Sequence, residues 1–140
     1  MDETALTRAY RNSTYWVDHP AGRFPMRIGE PCAPLQALLH AHGVSAWAFV
    51  TACNPRSQLL PPAENAARHL QLLSRLRQSA WPTFPGRSVS DQGEWLEHSL
   101  LILGIDDAAA LALGAAFEQN AVVTGDADGV ASLRWCVTRA

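Results

Sequence analysis

The chain has 140 residues, 48% of them hydrophobic and 17% charged, with a formal net charge of −2. That is the size and make-up of one domain with a real core, and the charge gives no reason to expect nucleic acid or an anionic membrane as a partner. All eleven basic side chains are arginine; without lysine there is neither a Walker-type phosphate loop nor a side-chain Schiff base.

No window approaches the run of about 18 apolar residues that a spanning helix requires. The amino terminus is acidic at Asp2 and Glu3 and has no apolar block of the kind a signal peptide needs. The expectation is a soluble, cytoplasmic protein. Cys32, Cys53 and Cys136 are far apart and form no Cys-x-x-Cys pair, so reduced, packed thiols are expected. The histidines show no ligand spacing such as His-Glu-x-x-His, and Asp126-x-Asp128-Gly129 lacks the later ligands of a calcium loop. No metal and no cofactor is expected.

In chain order, residues 2–11 read as a short helix with an acidic first turn, docked by Leu6 and Tyr10. The β-formers of 13–18 and the segment 24–28, with Pro25 marking an edge or a start, predict a hairpin around His19-Pro20-Ala21-Gly22. Residues 34–42 form a helix stopped by Gly43. The next stretch, 46–52, is Ala-Trp-Ala-Phe-Val-Thr-Ala, apolar on both alternating sides, which suits a strand covered on both faces. Asn54-Pro55 ends it. Residues 63–79 form the longest helix, with Leu72, Leu73 and Leu76 on its apolar stripe, Asn65 on the same stripe, and Glu64 and Arg68 spaced as an exposed ion pair. The stretch 81–93 mixes prolines, glycines and polar residues, leaving at most a short strand around Thr83, Phe84 and Val89. A buried strand follows at 95–104, then an Ala/Leu helix at 108–117 capped by Asp106. Residues 120–125 and 130–137 complete a second hairpin.

Two strand-glycine-acid-helix-strand runs, starting at Ile28-Gly29-Glu30 and at Leu103-Gly104-Ile105-Asp106, resemble β-α-β units. Together these elements predict a single α/β (α+β) domain over residues 1–140, with a mixed sheet of about six strands and three main helices packed on it.

Three groups of polar residues stand at the ends of apolar elements. Thr51, Asn54 and Arg56 end the central strand, where a hydroxyl, an amide and a guanidinium suit a carboxylate or phosphate; the alternative is a plain turn with Asn54 bonded to its own backbone. Trp95, Glu97 and Ser99 share one face of a strand. A carboxylate there is costly unless paired, so Glu97 either meets an arginine such as Arg11 or Arg27, or lines a pocket mouth with a raised pKa, in which case it is the proton-transfer candidate. Gln119 and Asn120 lie between a buried helix and a buried strand and either line the same cleft or cap the helix.

Tyr10-Arg11, Arg27-Ile28-Gly29, Ala48 to Pro55, Glu64-Asn65, Trp95-x-Glu97-x-Ser99 and Phe117-x-Gln119-Asn120-Ala121 occur in this order along the chain. In this set the chain resembles a bacterial family catalogued as a domain of unknown function, number 3293. The chain departs from the family pattern at Cys53, where tryptophan is expected, and at Leu60, where a capping serine is usual. The resemblance implies no activity.

The functional expectation is a site for a small anionic metabolite at the carboxyl edge of the central strands. Thr51, Asn54, Asn65, Ser99, Gln119 and Asn120 would line it, Arg11, Arg27 or Arg56 would hold the anion, and Glu97 would move a proton if the protein is an enzyme. The alternative is an interaction or structural module in which the same residues form a closed hydrogen-bond network.

Overall fold

The structure, a computed structural model, describes residues 3–93 and 95–136. The elements are α1 (Glu3–Arg11), β1 (Ser13–Val17), β2 (Phe24–Met26), α2 (Ala33–His42), β3 (Trp47–Thr51), a 3₁₀ turn (Pro55–Ser57), α3 (Pro62–Arg77), β4 (Thr83–Ser90), β5 (Leu96–Leu103), α4 (Asp107–Ala116), β6 (Ala121–Gly125) and β7 (Ser132–Trp135). Asp2 and Val137, expected at the ends of the first helix and the last strand, lie outside the described residues. No described helix is long and apolar enough to cross a membrane.

The strands form one curled sheet of order β2-β1-β4-β5-β3-β6-β7. The α+β class is as the sequence predicts, but there are seven strands and not six. The added strand is β4, and it is central. Its prolines and glycines read as loop, yet Pro85 sits opposite Leu100 in the ladder and its carbonyl accepts from the Asp18 amide at 2.8 Å. Gly86 is required by close packing: a Cβ there would lie 2.5 Å from the Trp16 carbonyl and 2.8 Å from the Phe49 ring.

Each ladder between the strands is antiparallel, so the sheet is not mixed. The β-α-β expectation erred on adjacency and not on direction. β5 and β6, joined by α4, run the same way, but β3 lies antiparallel between them. Connecting helices leave room for an intervening strand, and nothing in a strand-helix-strand pattern says whether one will fill it.

Alternation on the inner strands splits the core in two. Trp47, Phe49, Leu101, Leu103 and Val123 face inward with Tyr15, Val17 and the α2 residues Leu35, Leu38 and Leu39. Ala48, Val50, Leu100, Ile102 and Val122 face outward beneath Leu72 and Leu76 of α3 and Leu113 of α4. The curl brings the margins of the sheet together: Ile28, past β2, bridges Ala131, before β7, and the Gly29 amide donates to the Ala131 carbonyl at 2.8 Å. The inner face is thus a partly closed barrel. α2 fills one end with leucines, and the other end is lined by polar side chains.

Candidate functional site

At that second end the inner-facing positions change character. Along β5 the residues before Leu101 are Glu97 and Ser99; along β4 they are Ser88 and Ser90; β3 ends in Thr51. The ladders place these side by side, with Tyr15 opposite Ser88, Ser88 opposite Glu97, and Ser99 between Gly86 and Thr51. The result is a recess of about 400 Å³ walled by Tyr15, Phe49, Trp95 and Val123, floored by the polar residues, and roofed by Leu6, Arg8 and Ala9 of α1. α1 buries only Leu6, and the Tyr15 hydroxyl ties it down by donating to the Tyr10 carbonyl at 2.7 Å.

Since the strands alternate in direction, there is no common carboxyl edge. The residues arrive from the end of β3, the starts of β5 and β6 and the end of β4. Thr51, Asn54, Glu97, Ser99 and Gln119 line the recess. Asn65 stands behind Asn54, and Asn120 donates to Ser57 Oγ at 2.9 Å, Ser57 itself being on the wall. The anion-holding arginines do not gather there. Arg27 forks onto Asp91 at 3.0 and 3.1 Å and donates to Thr14 at 2.9 Å. Arg11 borders a shallow groove on α1, and Arg56 is exposed outside the lining. Arg8 is the arginine that lines the recess.

Glu97 forms no ion pair with Arg11 or Arg27 among the described residues. Its carboxylate accepts from Asn54 Nδ2 at 3.0 Å. Burial pushes its pKa up, and hydrogen bonds from Asn54 and the Trp95 indole offset this only in part. Removing solvent from a carboxylate costs more than two neutral donors return.

Asn54 does more than turn the chain. Its side-chain oxygen accepts from the Leu60 amide at 3.0 Å and from Asn65 Nδ2 at 2.8 Å, while its own amide donates to Asn65 Oδ1 at 2.8 Å. Asn54, Arg56 and Ser57 all have left-handed backbone, with φ of 49°, 55° and 60°. Such conformations persist in non-glycine residues only when the surroundings over-determine them. Here the surroundings are Asn65, the Glu118 carbonyl that accepts from the Arg56 amide at 2.8 Å, and Asn120. Gln119 pins the preceding turn by donating to the Cys53 carbonyl at 3.0 Å. Arg68 does not pair with Glu64. It donates to the Ala52 carbonyl at 2.6 Å and to the Phe117 carbonyl, and lies 3.5 Å from Glu118.

Sequence reasoning missed Arg8, Tyr15, Ser88 and Ser90. A signal for the serines was present: Gly86, Ser88 and Ser90 are small or polar at every second position, which is a strand facing something other than core.

No curated protein and no solved structure gives a significant match to the chain. The family model described as "Protein of unknown function (DUF3293)" matches residues 50–122, a segment that contains Thr51, Asn54, Asn65, Glu97, Ser99, Gln119 and Asn120. The match spans just over half of the chain, and the chain belongs to the DUF3293 family.

Proposed function

We propose that the recess is a binding site for a small metabolite whose anionic group is met at the rim by Arg8. The observation that supports this reading is the change from apolar to polar side chains on one sheet face, at an opening of about 400 Å³. That volume is in the range of small-ligand pockets, and convergent polar groups on mostly apolar walls are what such pockets provide. In this reading Glu97, Ser88 and Ser99 orient the ligand, while Asn65, Gln119 and Asn120 hold the loop that carries Asn54. If chemistry occurs, Glu97 is the proton-transfer group, since a carboxyl with a raised pKa exchanges a proton nearer neutrality.

A second reading is favoured by a specific observation. The amides of Asn54, Asn65 and Gln119 already have protein partners, as an internal network fixing one packing would require. The test is a thermal-shift screen of organic acids, amino acids and nucleotides on the wild type and on Ala9→Trp. Ala9 is an exposed roof residue, and an indole there fills the recess. Binding raises stability by mass action. Hits that vanish in Ala9→Trp support the recess. Hits unchanged in the variant, or none in the whole screen, overturn it in favour of the network.

A further inference from the structure

From the charge pattern of the recess we infer that its ligand is a small zwitterion, an amino acid or a close derivative, whose ammonium group sits against Glu97 between the aromatic walls while its acid group faces Arg8. This rests on the recess being a binding site and adds the chemistry of the occupant.

Among the described lining residues, Glu97 is the acid and Arg8 the base. They are carried by different elements. Glu97 is on the sheet, opposite Ser88, and Arg8 is on the α1 roof. A ligand that spans floor and roof therefore meets opposite charges at its two ends. Glu97 accepts from two neutral donors, Asn54 and the Trp95 indole, and no arginine or histidine pairs with it among the described residues. A carboxylate held this way in a mostly apolar recess is compensated best by a cation that arrives with donors of its own.

The walls point the same way. Tyr15, Phe49 and Trp95 line the recess around Glu97, and the Tyr15 and Phe49 rings pack edge to face with centroids 5.5 Å apart. Aromatic faces attract an ammonium within about 6 Å of the ring centroid. The hydroxyls of Ser88, across the ladder from Glu97, and of Ser99, two residues further along β5 on the same face, can accept the remaining N–H groups of a primary amine. A purely anionic ligand would leave Glu97 without a counter-charge, and a simple amine would leave Arg8 without one.

The experiment is isothermal titration of the full chain with three matched probes: L-phenylalanine, 3-phenylpropionate, which lacks the amine, and phenethylamine, which lacks the acid. L-leucine and 5-aminovalerate extend the series to other bodies. At least one zwitterion is expected to bind at least about tenfold more tightly than its deaminated partner, the worth of one charge-assisted hydrogen bond. Glu97→Gln keeps an acceptor for Asn54 and is expected to abolish that preference, while Arg8→Gln removes the preference for the acid. If Glu97→Gln does not fold, the wild type serves. Its preference for the amine must then fade as pH falls and Glu97 is protonated. A deaminated probe that binds wild type as well as its zwitterion overturns the ammonium assignment and leaves the recess reading intact. No binding by any probe, with other screen hits still lost in Ala9→Trp, overturns this assignment alone. A screen with no hits, or with every hit unchanged in Ala9→Trp, overturns both.

Discussion

Replacing Asn54 tests whether the strained turn and the hydrogen-bond network are one device. Asn54→Ala removes the bond to Glu97 at 3.0 Å and the acceptor for Leu60 and Asn65 at 3.0 and 2.8 Å. At about 1 kcal/mol net per bond, that is about 3 kcal/mol. It also puts a Cβ without asparagine's local hydrogen bonding on a backbone at φ 49°, which costs about 1 kcal/mol more. The expected loss is about 4 kcal/mol. Asn54→Gly loses the same bonds but relaxes into the left-handed conformation freely, so its loss is about 3 kcal/mol. The pair of variants separates side chain from backbone in one urea titration, with the m-value held constant as the check on two-state behaviour. In heating scans the alanine variant falls by roughly 10–15 °C. If alanine and glycine destabilise equally, the strain argument is wrong. If both lose less than about 1 kcal/mol, the network contributes little and the turn is held by something else.

Glu97→Gln is expected to change how stability depends on pH. Burial raises the folded-state pKa of Glu97 above its unfolded value, so the folded chain holds the proton more tightly. That contribution is fully present below the unfolded pKa and is lost as pH rises through the folded one. The variant lacks this loss, so its advantage over wild type in thermal scans grows from pH 4 to pH 8; a difference that is flat or grows toward acid pH refutes the buried-carboxyl reading. Arg68→Ala strips the donors from the Ala52 and Phe117 carbonyls and is expected to cost about 3 kcal/mol in urea titration, with Arg68→Lys recovering part of it. Gly86→Ala drives a methyl into the Trp16 carbonyl and the Phe49 ring. It is expected to cost about 3 kcal/mol and to weaken ligand binding together with stability, since Phe49 is part of the recess wall.

The parts of the fold legible in the sequence were those with a strong local signature. Trp47 to Thr51 and Leu100 to Leu103 read as buried strands because apolar residues on both sides suit a strand with a core on each face. The Gly43 stop and the Asp106 cap marked helix ends where the structure has them, Gly43 in the left-handed conformation and Asp106 accepting from Ala109. β4 is legible only as at most a short strand around Thr83, Phe84 and Val89, because what makes Thr83–Ser90 a full strand is tertiary: Pro85 and Gly86 weaken any local preference, and the ladders to β1 and β5 override it. Ser88 and Ser90 were missed with it. The arginines were misjudged for a related reason. Chain position says nothing about which acid a long side chain meets, and Arg27 is taken by Asp91, 64 residues away. Asn54, Glu97, Ser99 and Gln119, which line the recess, are legible as candidates because a polar group at the end of an apolar run signals its cost without reference to the rest of the chain.

β3 also governs how freely the recess can be rebuilt. Its inner positions carry Trp47 and Phe49 and its outer ones Ala48 and Val50. A slip of one residue would thrust an indole and a phenyl under α3 and α4, where only a methyl and an isopropyl group now fit. Bulk, not polarity, therefore locks the strand in place. Mutation can exchange serines for other small side chains on the floor of the recess without loosening its alignment.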